Sequence, residues 1–338
     1  MQITTSMLYN QLLASIQNSQ TTESKLNQQL ASGQKILAPS DDVQGTMRAL
    51  DYEVNINKNN QYATDVKTAT NSLNQANTAL TTFSSTLSTI TGILDNANAA
   101  SNPSIQQTMS TEVAQLRDQL LDLANTKVGN TYLFSGFKTN LQPYAAGTYT
   151  YQGDSGSLNV PCGTGFPIAS NIPGSSVFSY PPAAHTTQIS GGLTVSYTPG
   201  AGTTVNVNIT DANNNLVKSF SFSNAMQMTD LLSTAIANND TPTIEALQYP
   251  FNQIQNQVNS VQADIGARLS ALQTQSASLT QGTTNLQDNL SSIQDADTTA
   301  LGAEIPMMNT ALQALYSASS QILPMSLINF LQASSPTP

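Results

Sequence analysis

Apolar residues recur at heptad spacing in two places far apart in this chain. Tyr62, Val66, Ala69, Leu73, Ala76, Leu80, Phe83, Leu87, Ile90 and Leu94 follow one another in alternating steps of four and three. Val258, Ile265, Leu272, Leu279, Leu286 and Ile293 recur at every seventh position. On a helix, a stripe of that period is a narrow seam that another helix must cover. Each arm has one seam and needs one partner. The expectation is that the arms pair with each other, so that the chain leaves and returns along one rod whose core is these residues. That layout suits a subunit of a fibre better than an enzyme built around a pocket.

Helical patterning extends outside the arms. A first helix is expected over 4–31, with Met7, Leu8, Leu12, Ile16, Leu26 and Leu30 mostly on one side. Its middle is Ser, Thr and Gln, and a helix of that polarity is marginal without partners. Ser32-Gly33 ends it, with the glycine as C-cap. Pro39-Ser40-Asp41-Asp42 then opens a helix running to about 100, with Ser40 or Asp41 as its cap and the acids in its first turn. Asn102-Pro103-Ser104 breaks it. A third helix over about 104–127 carries Ile105, Met109, Val113, Leu116, Leu120 and Leu123, and Gly129-Asn130 ends it.

Between about 135 and 224 the character changes. Glycine and proline become frequent, and 148–151, 193–197, 204–209 and 217–222 alternate in the manner of strands, with Asp211–Asn215 as a hairpin loop. This is a β-rich domain inserted between helices. Helix resumes at Met228, Leu231, Leu232 and Ile236. The long C-terminal arm follows Thr241-Pro242 and runs past 300. A last helical piece carries Met308, Leu312, Leu315 and Ile322, interrupted by Pro306 and Pro324, each of which removes a backbone donor. Residues 332–338 are expected to be a disordered tail. The fold class is mainly α with an inserted β domain.

Composition narrows the function. Of 338 residues only 9% are charged while 39% are hydrophobic, and the remainder is rich in Asn, Gln, Ser, Thr and Ala. Such helix surfaces can be buried against neighbours at low desolvation cost, because they hydrogen-bond without carrying charge. They therefore suit self-assembly. The net charge of −10 and the absence of a basic run leave no electrostatic footprint for nucleic acid or for an anionic membrane surface. No run of about 18 apolar residues spans a bilayer. The start, Met1-Gln2-Ile3-Thr4-Thr5-Ser6, lacks the basic and apolar regions of a secretory signal. One cysteine, Cys162, excludes a disulfide framework within the chain.

Candidate chemistry is sparse. His185, the only histidine, has no second histidine with which to share a metal and falls in a Pro/Ala/Thr stretch that reads as a solvated loop. Cys162 has no inferable base beside it and reads as a small semi-buried residue. Asp41-Asp42 reads as a helix start. Asp295 and Asp297 sit on the heptad helix, where positions two apart do not face each other. No catalytic residue, cofactor or metal site is expected, and the chain is not expected to be an enzyme.

Particular segments carry a family resemblance. Ser32-Gly33 through Pro39-Ser40-Asp41-Asp42, the stretch Leu116–Thr126, and Gly129-Asn130-Thr131-Tyr132-Leu133-Phe134-Ser135-Gly136-Phe137-Lys138-Thr139 resemble the N-terminal region of bacterial flagellin-type axial proteins. Asp264-Ile265-Gly266-Ala267-Arg268-Leu269 and Ser326–Leu331 resemble their C-terminal region. The Tyr-Leu-Phe-Ser-Gly-Phe-Lys-Thr run is similar to the members that join hook to filament. The match covers about 1–140 and 225–331, and 140–224 matches no known pattern.

The resemblance implies a structural subunit of the bacterial flagellum. It would form a junction ring of identical copies between hook and filament, next to another hook-associated protein, with filament flagellin assembling on it. It further implies export without a cleaved signal, with a chaperone, and an extracellular destination. Residues 1–42 with 303–331 would be a terminal coiled-coil assembly domain, disordered in the monomer. Its interface would be Leu12, Ile16, Leu26 and Leu30 meeting Met308, Leu312, Leu315 and Ile322. Residues 43–139 with 225–302 would be the helical rod, and 140–224 the insertion. Two other readings are a filament flagellin, and an adhesin whose Phe178, Tyr180 and Tyr197 form a contact patch.

Overall fold

The computed structural model describes residues 2–98, 102–163, 167–180 and 183–333. The chain divides into two compact units, residues 1–60 with 281–338 and residues 61–280.

The terminal unit is helical. Helix α1 (Gln2–Ser32) packs on α7 (Thr298–Ala333), together with the first part of α2 (Val43–Ala97) and the last part of α6 (Thr241–Gln294). Gly33 adopts φ +70° and its N–H donates to Gln29 O, so the glycine ends α1 as its sequence predicts. The cap of α2 is Asp42, whose Oδ1 accepts from Gly45 N–H at 2.8 Å. Asp41 instead accepts from the Leu37 and Ala38 N–H groups and from Lys25 Nζ at 2.7 Å. The predicted continuous C-terminal arm is broken at Asp295–Asp297. Asp295 bridges Gln34, while Asp297 Oδ1 accepts from Thr299 and Ala300 N–H and starts α7. Local capping by an aspartate has overridden the heptad pattern here. Beyond it, α7 continues through both prolines. Pro306 leaves the carbonyl of Gly302 without its helical donor, but that turn is exposed and water can supply one. The expected tail overlaps α7 at residues 332 and 333, and residues 334–338 lie outside the described residues.

The central unit carries the core. In it α2 and α6 run antiparallel, joined by Gln248 to Asp95 at 3.2 Å, Gln255 to Ser84 at 2.5 Å and Gln262 to Thr81 at 3.0 Å. An uncharged glutamine amide donates each of these bonds, to a hydroxyl in two of them and to the Asp95 carboxylate in the third. Between them the apolar seam is sealed: Val66, Leu73, Leu80, Phe83, Leu87, Ile90 and Leu94 of α2 and Val258, Ile265, Leu272 and Leu279 of α6 are buried. Leu286 and Ile293, in the terminal unit, are half-buried. Helix α3 (Pro103–Ala124) packs on α5 (Ala225–Ala237), clamped where Arg117 bonds Asp230.

After α3 the chain forms a short hairpin of β1 (Lys127–Val128) and β2 (Thr131–Tyr132), turned at Gly129-Asn130 with Gly129 at φ +59°. A second small pair, β3 (Asn159–Val160) with β4 (Ile168–Ala169), precedes the one-turn helix α4 (Gly174–Val177). The inserted sheet is an antiparallel meander of β5 (His185–Ile189), β6 (Leu193–Pro199), β7 (Val205–Thr210) and β8 (Leu216–Phe222). Three of the four predicted strands are present. The fourth, 148–151, is not a strand because Tyr149 sits at φ +52°, where it stacks under Arg117. β5 takes its place as the first strand of the sheet.

The sheet does not hold a core of its own. Val195, Tyr197, Val205, Val207, Ile209 and Phe222 turn inward and join the cluster formed by the helices. Phe178 packs on Phe83 of α2 at 4.6 Å between centroids and on Phe134 at 5.0 Å. The Tyr197 hydroxyl donates to Ala246 O of α6 at 2.6 Å.

Candidate assembly surface

The eight residues expected to form the terminal interface lie on α1 and α7, which run antiparallel. Gln20 Nε2 donates to Tyr316 OH at 2.6 Å, Leu26 lines one groove with Met307 and Met308, and Ala296 N–H donates to Gly33 O at 2.9 Å. Leu312 is buried. Leu12, Ile16, Leu26, Met308 and Leu315 are half-buried, and Leu30 is exposed. The side chain of Ile322 lies outside the described residues. The rest of α7's apolar surface includes Met307 and Tyr316, both exposed.

The terminal unit is thinly packed. Its buried apolar residues among the described side chains are Ala49, Leu301 and Leu312. Against these few stand Val43, Met47, Leu50 and Val54 at the start of α2, each more than half exposed. Their spacing of four, three and four puts them on one side of the helix, opposite Gly45 and Ala49, which face inward. Large aliphatic side chains aligned on one exposed helix face make this a candidate contact surface, and heptad spacing fits a helical partner. Its 4-3-4 step is present in the sequence.

The Tyr132–Thr139 run has a structural role in the central unit. Tyr132 N–H donates to Thr139 O at 2.8 Å, and Phe134 and Ser135 are buried. Gly136 adopts φ +73°, a conformation that disfavours a side chain. Asp154 Oδ1 accepts from Phe137 N–H at 2.7 Å and Gly156 N–H at 2.9 Å, and these donors hold its carboxyl below the usual carboxylate range. The Tyr151 hydroxyl lies 2.9 Å from Phe134 O and 2.8 Å from Asp154 O, and burial pushes its pKa up to about 12.

Groups considered for chemistry are engaged otherwise. His185 is not a solvated loop residue but part of β5, stacked on Tyr249 at 3.9 Å between centroids and near Tyr197 at 5.9 Å. Cys162 is buried and its thiol points at Val160 O, 3.3 Å away. Asp295 and Asp297 mark a helix break. Phe178, Tyr180 and Tyr197 are all buried, so they cannot form the contact patch that an adhesin reading requires.

The family model for the bacterial flagellin N-terminal helical region matches residues 3–139, and that for the bacterial flagellin C-terminal helical region matches residues 251–331. Flagellar hook-associated protein 3 of Salmonella typhimurium is 25% identical over 97% of this chain and 98% of its own length. The protein of the same name from Escherichia coli is likewise 25% identical over 97% and 98%. Among solved structures, FlgL of Xanthomonas campestris superposes with a TM-score of 0.55 at 19% identity, covering 70% of this chain and 98% of that one. The flagellar junction protein FlgL of Legionella pneumophila gives 0.52 at 19% identity, over 75% and 100%.

Proposed function

Because this chain belongs to the flagellin-like family of bacterial axial proteins, we propose that it is the structural subunit forming the ring between flagellar hook and filament. The observation that carries this reading is its similarity to hook-associated protein 3 along nearly the whole of both chains, inserted segment included. The helical ends alone would suit a filament flagellin equally well.

The ring is made of identical copies. One side meets the neighbouring hook-associated protein, and the other offers a surface on which filament flagellin assembles. The subunit leaves the cell through the flagellar export channel, delivered by a chaperone. The terminal helices order fully only on assembly, and the packing of the terminal unit supports this. Few apolar side chains are buried there while Val43, Met47, Leu50 and Val54 stay exposed, so burial gained against neighbours must offset the ordering cost.

Immunogold electron microscopy of isolated flagella tests the placement, with an epitope tag in the exposed Ala212–Asn215 hairpin loop. A single band at the hook–filament boundary is expected. Labelling along the whole filament would make the chain a flagellin.

A further inference from the structure

The β5–β8 sheet is open along both edges among the described residues. β5 pairs only with β6, and β8 only with β7. An open edge presents a row of unpaired N–H and C=O groups, which folded proteins usually guard with charge, proline or a covering segment. Neither edge here keeps a free charge. β5, His-Thr-Thr-Gln-Ile, contains no Lys, Arg, Asp or Glu. β8 contains one charged residue, Lys218, and its ammonium is bound to Asp240 of the same chain. At the start of β8, Leu216 and Val217 stand more than half exposed. Only the far end is covered, where Tyr180 N–H donates to Ser223 O at 3.1 Å. The open stretch therefore runs from Leu216 to about Ser221, close in length to the five residues of β5.

The two edges complement one another. In a four-stranded antiparallel meander the first and last strands run in opposite directions. A second copy, rotated about an axis along the strands, lays its β5 antiparallel to β8 of the first and continues the ladder. Side-chain alternation allows this too. Thr186 and Gln188 on β5 and Ser219 and Ser221 on β8 are exposed and share the outer face with Asn206 and Asn208. Setting Ser219 opposite Thr186 or Gln188 keeps polar residues outward on both copies, whereas a slip of one residue would turn the inward face to solvent. Because the contact joins two different surfaces, it repeats head to tail and closes into a ring or a helix.

We propose that β8 of one copy pairs with β5 of the next, so that the inserted sheets join into a continuous belt around the assembled ring. This inference rests on the reading of the chain as a ring-forming subunit. The test uses full-length chains carrying Thr186→Cys, Gln188→Cys or Ser219→Cys, and the doubles that combine Ser219→Cys with each of the others. All three positions are exposed, and the native Cys162 is buried. Each variant replaces the native chain in cells, and isolated hook–filament junctions are oxidised and run on non-reducing gels. At least one double is expected to give a ladder of multimers, with the single variants remaining monomeric. Junctions that contain the doubles but yield no ladder overturn the pairing and leave the ring reading standing. Dimers from a single variant also overturn it, since they report a contact between like strands. Chains absent from junctions, though secreted, overturn the ring reading and the pairing with it.

Discussion

The backbone N–H of Lys35 donates to the carbonyl of Gln294 at 2.7 Å, where α1 and α6 both stop. Gln34 bridges Asp295, and Gly33 O accepts from Ala296 N–H at 2.9 Å. Two chain segments far apart in sequence are thus knitted together by backbone hydrogen bonds at the place where each leaves its helix. Gly33 makes this possible by adopting φ +70°.

Gly33→Ala forces an L side chain into that left-handed conformation at a cost of about 1–2 kcal/mol. Hydrogen exchange at the Lys35 and Ala296 amides is expected to quicken roughly 5–30-fold, with the central unit unaffected. Unchanged exchange would mean that the joint does not depend on the glycine.

Leu272 and Met47 separate folding from assembly. Leu272 is buried, and Leu272→Ala should destabilise the isolated chain by about 2–5 kcal/mol in denaturant unfolding. Met47 is exposed, and Met47→Gln should stay within about 0.5 kcal/mol. Combined with Leu50→Gln, it should nonetheless abolish ring assembly. Normal filaments from that double variant would remove the exposed stripe from the account.

Gly136 tests the Tyr132–Thr139 run. A Cβ there would overlap the carboxylate and the backbone oxygen of Asp154, and φ is +73°. Gly136→Ala is expected to cost more than the about 1–2 kcal/mol of the backbone conformation alone, seen as a lower thermal midpoint. A neutral result would show that Asp154 moves freely.

Asp154 predicts a pH dependence. The Phe137 and Gly156 N–H groups hold its folded carboxyl below the ordinary value of 3.8, so the folded state favours the ionised form. Its contribution is fully present above the ordinary value and is lost as pH falls through the lower, folded value. The gap in thermal midpoint between the native chain and Asp154→Asn should therefore be widest near pH 6 and narrow below about pH 4. A gap independent of pH would contradict the assignment.

Much of the helical plan was legible because burial enforces period. The seam from Val66 to Leu94 and from Val258 to Leu279 is apolar at each buried position but Thr86, and so its pairing could be read directly. Capping and backbone conformation were less legible. The heptad pattern of its neighbours places Asp297 in a helix interior, although an aspartate competes for backbone donors and can start a helix. Pro306 was expected to interrupt a helix that its exposed turn tolerates. Residues 148–151 alternate like a strand, but the contact between Tyr149 and Arg117 favours a left-handed turn there. β5 escaped notice because Thr-Thr-Gln is weakly patterned, and only pairing with β6 makes it a strand. The exposed stripe at Val43–Val54 is harder to read because its apolar face lies opposite the one continuous with the core.

Deletion of the gene for this chain tests the central claim most directly, with electron microscopy of the cells and an assay for free flagellin in the medium. Intact hooks without filaments, flagellin in the medium, and filaments restored by the native chain are the predicted results. Filaments growing from the hooks of the deletion strain, with no flagellin released, would contradict the account.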